Sequence, residues 1–431
     1  MEILAVQGKA ALRGELKIQG SKNAVLPMLA ASLLHKGVTE LTNVPRIWDV
    51  FCMIHILEEL GAKVTFQGHC LRVDASFADG VRVSKEYGGK SRSSVLMLGA
   101  LLARNREACL GLPGGCSIGE RPVDLHQRAM EALGAETYVE EDMICAAAKN
   151  GLTGAVIRFP FPSVGATENA LLAAVGAEGT SLLCGCAREP EIRDLCYFLK
   201  NMGAGIEGIG SSRLIVRGGM PLHDSSFAVN GDRIAAGTCL AAVAAAGGDI
   251  CLNGVEAKDL IGMWEAFLRM GCRLKAEPGR ILCSADERPA AIEELVTAPY
   301  PGFPTDMQSL FLAALCRGKG VSRVRETIFE NRFEIVPELC RMGACIGEED
   351  GLVKVVGQEK LSGAYVEAKD LRGGAALAVA ALGAEGETRI AGLSHIRRGY
   401  EDLPGDLAGL GVKARVIQEE KHDEKRKEIQ G

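Results

Sequence analysis

The chain has 431 residues, 47% of them apolar and 24% charged, with a formal net charge of -6. That much apolar material overfills a single core, so two domains are expected, and the acidic balance excludes nucleic acid as the main partner. The N-terminus lacks a basic start followed by an apolar run, and no apolar stretch is long enough to span a bilayer, which predicts a cytoplasmic protein without membrane insertion.

In chain order, EILAVQG near the N-terminus reads as a strand, followed by KNAVLPMLAASLL, apolar around its whole circumference and so a buried helix. VTELTNV, the amphipathic ILEELGA, and the hairpin KVTFQG with CLRVDA complete a unit of strand, buried helix, strand, amphipathic helix and hairpin. The pattern then returns. Buried helices recur as RSSVLMLGALLA, TENALLAAVGA, DRIAAGTCLAAVAAA, TDMQSLFLAALC and DLRGGAALAVAALGA. Amphipathic segments recur as MEALGA, FLKNMGA, FLRMGC, LCRMGA and LAGLGV. The glycines closing them, Gly61, Gly134, Gly203, Gly271, Gly343 and Gly411, are spaced by 73, 69, 68, 72 and 68 residues, so six copies of one unit are expected. Each glycine is the expected left-handed cap. Three units per domain put a hinge near Val229. The first domain is then 21–229, and the second is 230–418 closed by 1–20, with EILAVQG completing the last unit. Residues 419–431 are expected to be a disordered tail.

The fifteen cysteines, an odd number without a C-x-x-C pair, read as reduced thiols. No metal-ligand spacing, Walker loop or G-x-G-x-x-G fingerprint occurs, so neither metal nor cofactor is expected. The buried helices begin with unusual residues: Lys22 and Asn23, Arg92, Thr167 and Glu168, Asp232 and Arg233, Thr305 and Asp306, and Asp370 with Arg372. Asn, Thr and Asp suit capping. Lys and Arg do not, because the helix N-terminus is the positive end of its dipole. Cations there suggest a shared anionic ligand in a cleft where the helix starts meet.

The stretches GSKNAVLP, LPGGCSIGERPVDLH, PSVGATEN, YPGFPTDMQ, ENRFE, DLRGG and IRRGYEDL resemble those of the UDP-N-acetylglucosamine enolpyruvyl transferases, in order and from residue 1 to about 417. The resemblance implies an α/β fold of two domains, the inverted α/β barrel, made of six βαβαββ units with helices inside and sheets outside. It implies transfer of the enolpyruvyl group of phosphoenolpyruvate to the 3-hydroxyl of UDP-N-acetylglucosamine, by addition and elimination of phosphate, in a monomer or weak dimer.

By the same resemblance, Asp306 is the base at the sugar hydroxyl and Cys116, on a glycine-rich lid over 111–121, is the acid at the methylene carbon and the target of fosfomycin. Lys22, Arg121 and Arg398 embrace the phosphate, with Arg92, Arg332 and Arg372 supporting the anionic core. Asn23 holds the sugar, Asp124, Leu125 and His126 lie near the uracil, Ser163, Val164 and Gly165 lie at the diphosphate, and Pro122 and Val123 are further substrate contacts. Thr305, Ile328 and Asp370 complete the set. Some members carry a lysine just before the Ser163 turn, where this chain has Phe161 and Pro162. Three other readings stay open: the sister enzyme acting on shikimate 3-phosphate, a silent relative that only binds the nucleotide sugar, and a repeat scaffold for protein partners.

Overall fold

Runs of five residues with apolar side chains at the second and fourth positions form strands in which buried and more exposed positions alternate, as in Cys70–Asp74 and Leu352–Val356. The computed structural model describes residues 1–112, 114, 118–119 and 122–419. Among them are six four-stranded sheets with one common pattern: an edge strand parallel to its neighbour, then two antiparallel pairings. The sheet of Val38–Thr42, Cys70–Asp74 and Lys63–Gln67 borrows its parallel edge from Ser225–Ala228. The sheet of Gly248–Asn253 borrows Leu12–Lys17 in the same way. Glu2–Gln7 lies between Glu387–Ala391 and Ala414–Gln418, antiparallel to both. None of these sheets closes on itself, so the fold is mixed α/β without a closed barrel among the described residues.

Two hydrophobic cores lie behind the sheets. One is built from residues between Ala24 and Val229, the other from Leu4, Val6, Leu12 and Ile18 with residues between Ile234 and Val412. They are called here the first and second lobe. At the centre of the first are Lys22–Ala31, Met97–Asn105 and Val164–Gly176. The second holds Arg233–Ala246, Gln308–Leu315 and Leu371–Gly383, packed pairwise on one another. Their small residues permit this: a Cβ on Gly99 would lie 2.3 Å from the carbonyl oxygen of Asn169, inside the neighbouring helix.

Outer amphipathic helices cover each lobe, and all six glycines that follow them have φ between +85° and +108°, the left-handed cap predicted from their spacing. Two expectations change. Ser163 caps Val164–Gly176, so Thr167 and Glu168 sit inside that helix and not at its start. Cys109 and Cys145, directly opposite in the antiparallel pair Glu107–Gly111 and Met143–Ala147, are joined as a disulfide, so not every thiol is reduced. Glu419, counted with the tail, donates its amide to the Met1 carbonyl; the rest of the tail lies outside the described residues. No described helix is long and apolar enough to cross a membrane.

Candidate active site

The starts of the inner helices converge where the lobes meet. Lys22 opens its helix behind the Ser21 cap and donates its backbone amide to Asp232 of the second lobe at 3.0 Å. Asp232 also accepts the amides of Ile234 and Ala235, so one carboxylate caps its own helix and holds the start of another.

Asp49, in the first turn of the outer helix Trp48–Glu59, is buried against two cations. Lys22 Nζ lies 2.7 Å from one of its oxygens, and Arg398 of the second lobe donates Nε to the other at 3.1 Å. The Arg398 guanidinium also lies over the Trp48 ring, 5.6 Å from its centroid. Two cations around one carboxylate leave a net positive charge that suits an oxyanion.

Asp306 sits in the turn Thr305–Met307 ahead of its inner helix, between Arg332 at 2.5 Å and Arg372 at 3.0 Å. Thr305 accepts from Arg332 Nε and donates to Glu326, which also takes the amides of Ile328 and Phe329. Burial pushes the Asp306 carboxyl up, but the Arg372 and Arg332 guanidiniums outweigh it and hold the group well below the usual carboxylate range. It is ionised at neutral pH, and 26% of its side chain remains open to a ligand.

The first lobe supplies the opposite wall. Arg92 donates to the Pro122 carbonyl at 3.1 Å, and Val123 leads into the helix Asp124–Ala132, where Asp124 faces Arg128. Leu125 and His126 are buried. Asn169 accepts the Gly99 amide with Oδ1, so its Nδ2 must donate to His126 Nδ1, at 2.9 Å, and the imidazole proton lies on Nε2. Burial, together with the charge of Arg92, lowers His126 to about 3, leaving the ring neutral. That ring packs on Gly165, where a Cβ would lie 3.2 Å from it, while Ser163 accepts the Ala166 amide ahead of Val164. Residues 122–126 and 163–165 are thus brought together. Asn23 is half-buried beside Lys22, and Asp370 is a cap, accepting the amides of Arg372 and Gly373.

Cys116 and Arg121 lie outside the described residues. Between them in sequence, the Ile118 carbonyl accepts the Asn331 amide of the second lobe at 3.1 Å. Among the described residues no group of three or more His, Cys, Asp or Glu side chains is placed to hold a metal.

A second charged cluster joins Glu168 and Arg233, singled out in the sequence, to Glu189 and Glu191, which sequence reasoning missed. Glu191 of the outer helix Pro190–Asn201 accepts from Arg233 of the second lobe at 3.0 Å, with Glu168 and Glu189 close by. One oxygen each of Glu189 and Glu191 is buried without a hydrogen-bond partner. Burial, then the neighbouring Glu191 and Glu189, pushes Glu168 well above the carboxylate range, and burial raises Glu189 too. A third inter-lobe pair joins Arg193 to Asp259 at 2.7 Å. A signal for these acids did exist. Asp49, Glu191 and Asp259 each stand twelve residues before the glycine closing their outer helix, Gly61, Gly203 and Gly271. Each receives a cation from the opposite lobe.

A sequence model described as EPSP synthase (3-phosphoshikimate 1-carboxyvinyltransferase) matches residues 6–407. The chain is 43% identical to UDP-N-acetylglucosamine 1-carboxyvinyltransferase 2 of Caldanaerobacter subterraneus subsp. tengcongensis, covering 94% of this chain and 97% of the relative. It is 46% identical to UDP-N-acetylglucosamine 1-carboxyvinyltransferase of Dichelobacter nodosus, covering 97% and 100%. The enolpyruvyl transferase NikO of Streptomyces tendae superposes with a TM-score of 0.87 at 24% identity, covering 97% of this chain and 99% of that one. EPSP synthase of Acinetobacter baumannii gives 0.75 at 17%, covering 97% and 100%.

Proposed function

The chain belongs to the EPSP synthase family, and on that premise we propose that it transfers the enolpyruvyl group of phosphoenolpyruvate to the 3-hydroxyl of UDP-N-acetylglucosamine, releasing phosphate. This is the first committed step of peptidoglycan precursor synthesis. The observation that carries the choice of acceptor is the near-full-length identity to transferases named for that nucleotide sugar.

The chemistry needs a base for the sugar hydroxyl, an acid for the methylene carbon, and cations for a substrate bearing both phosphate and carboxylate. Asp306 takes the hydroxyl proton as oxygen attacks the central carbon of phosphoenolpyruvate, and Cys116 protonates the methylene to give a tetrahedral ketal. Deprotonating that methyl group again expels phosphate toward Lys22, Arg121 and Arg398. Arg92, Arg332 and Arg372 keep the site cationic. Asn23 holds the sugar, Asp124, Leu125 and His126 the uracil, and the Ser163, Val164 and Gly165 turn the diphosphate through backbone amides. Supporting this assignment, Asp306 is ionised yet partly open, and Lys22 and Arg398 share one carboxylate.

The six like-ordered sheets and the six positive-φ glycines support six βαβαββ units in an inverted α/β barrel. The two cores support domains of 21–229 and of 1–20 with 230–418. We place the enzyme in the cytoplasm as a monomer or weak dimer, serving cell-wall growth and so cell shape and division. The description of the family favours a second acceptor, shikimate 3-phosphate. Phosphate release from phosphoenolpyruvate, measured with each acceptor separately, decides: turnover with the shikimate alone overturns the proposal. Fosfomycin is expected to leave one adduct, on Cys116, and Cys116→Asp is expected to stay active but resist the drug. Peptide mass spectrometry reads the first, and inhibition assays the second.

A further inference from the structure

Tyr400 is buried in the second lobe, two residues after Arg398, and nothing in the reaction itself calls for a phenol. Its hydroxyl lies 3.3 Å from Arg372 Nη1 and 2.8 Å from Thr238 Oγ1. Counting protons fixes the direction of these bonds. Thr238 spends its only hydroxyl proton on the Ile234 carbonyl, one turn back in its own helix at 2.8 Å, so toward Tyr400 it can only accept. Tyr400 must therefore donate to Thr238. Its oxygen is left with lone pairs alone, and these face Arg372, which can only donate. The other end of the same guanidinium donates to Asp306.

The result is a chain whose bonds point outward from Arg372, and its one end is Asp306 in the turn before Gln308–Leu315. It passes through Arg372 in Leu371–Gly383 and Tyr400, and ends on Thr238 and Ile234 in Arg233–Ala246. It ties together the cleft ends of all three inner helices of the second lobe. The Tyr400 ring also lies beneath the guanidinium, 5.7 Å away. Arg372 is buried, so an N–H that lost the phenol oxygen would stand unpartnered, or would pull the fork away from Asp306.

We infer that Tyr400, oriented by Thr238, is a positioning residue for the proton-accepting carboxylate: it holds the Arg372 fork square to Asp306. It passes no proton, since an arginine does not release one. The inference rests on the reaction assigned above.

Tyr400→Phe keeps the ring under the guanidinium and removes only the oxygen. The expected result is a kcat lower by roughly tenfold, with KM for both substrates within about twofold. The acid limb of the kcat profile should move to higher pH, because a less well-held Arg372 stabilises the Asp306 carboxylate less. Thr238→Val should shift the limb the same way, and Thr238→Ser should restore it, which serves if the phenylalanine variant folds poorly. An unmoved acid limb in both Tyr400→Phe and Thr238→Val overturns the inference, even if their melting temperatures fall. If the wild-type protein releases no phosphate with UDP-N-acetylglucosamine, the reaction is wrong. The chain is then read without turnover, from the carbon-13 shift of the Asp306 carboxyl, assigned with Asp306→Asn. An upward titration shift in Tyr400→Phe supports the positioning role, and an identical titration refutes it.

Discussion

Asp49 and Glu191 occupy equivalent places, each in the first turn of an outer helix of the first lobe, and each meets an arginine from the second. Asp49 is one carboxylate between two cations, whereas Arg233 feels the charges of Glu191, Glu189 and Asp306, and Glu168 lies close to the two glutamates. The first cluster has charge to spare for an anion; in the second, burial holds Glu168 and Glu189 above the ordinary carboxylate range. Under the proposed function, the same backbone position serves ligand capture in one case and lobe contact in the other, and the neighbours decide which. Burial raises the stakes in both, since an unbalanced charge away from water costs far more than one at the surface.

The largest expected effect separates capture from stability. Arg398→Ala removes the inter-lobe cation at Asp49 but leaves Lys22 as its counter-charge, so the protein should fold while phosphoenolpyruvate binds about 2 kcal/mol more weakly, roughly thirtyfold. Titration of phosphoenolpyruvate against kcat/KM measures this. Unchanged kinetics would reduce Arg398 to a structural contact.

Next in size is Asp49→Asn, which leaves Lys22 and Arg398 facing each other without a carboxylate. Stability without ligand should drop by about 1 kcal/mol, and inorganic phosphate should restore most of it by supplying the missing negative charge. Thermal melts with and without phosphate test the point. A loss that phosphate does not repair would mean the cluster is not an anion site.

The smallest effect lies at the acidic cluster. Folding holds the Glu168 carboxyl above its ordinary range, so wild-type stability is full below the unfolded value and declines as pH rises toward the folded one. Glu168→Gln carries no such group. Its melting temperature should match the wild type near pH 4 and exceed it increasingly toward neutral pH. Parallel curves at every pH would show that these acids are solvated, and the contrast with Asp49 would collapse.

Much of the frame could be read before the structure. The glycine period and the all-round apolar helices gave the unit, because a left-handed cap and a dry helix each demand particular residues. The helix starts pointed to the cleft, since a cation at a dipole's positive end needs a reason. Asp49, Glu191 and Tyr400 stayed hidden for a physical cause. An acid in the first turn of an amphipathic helix is what the dipole favours anyway, and a tyrosine in IRRGYED looks like any half-apolar surface residue until Thr238 and Arg372 are brought beside it. The Cys109–Cys145 pairing depended on strand register, which spacing alone does not set.

The position of Glu2–Gln7 has a consequence for how the molecule is made. Leu4 pairs with Ile390 and Val416, so this strand, once made, waits for partners roughly 400 residues further along the chain. At 5–20 residues per second that wait is roughly 20–80 s, long enough for the residues between Ala24 and Val229 to collapse around their own core. Throughout it, EILAVQ is an unpaired apolar strand, the kind of segment that templates wrong pairings. Slow or crowded synthesis should therefore damage the second lobe before the first, and a holdase that covers this strand should raise the yield of active protein more than one that binds anywhere in the first lobe.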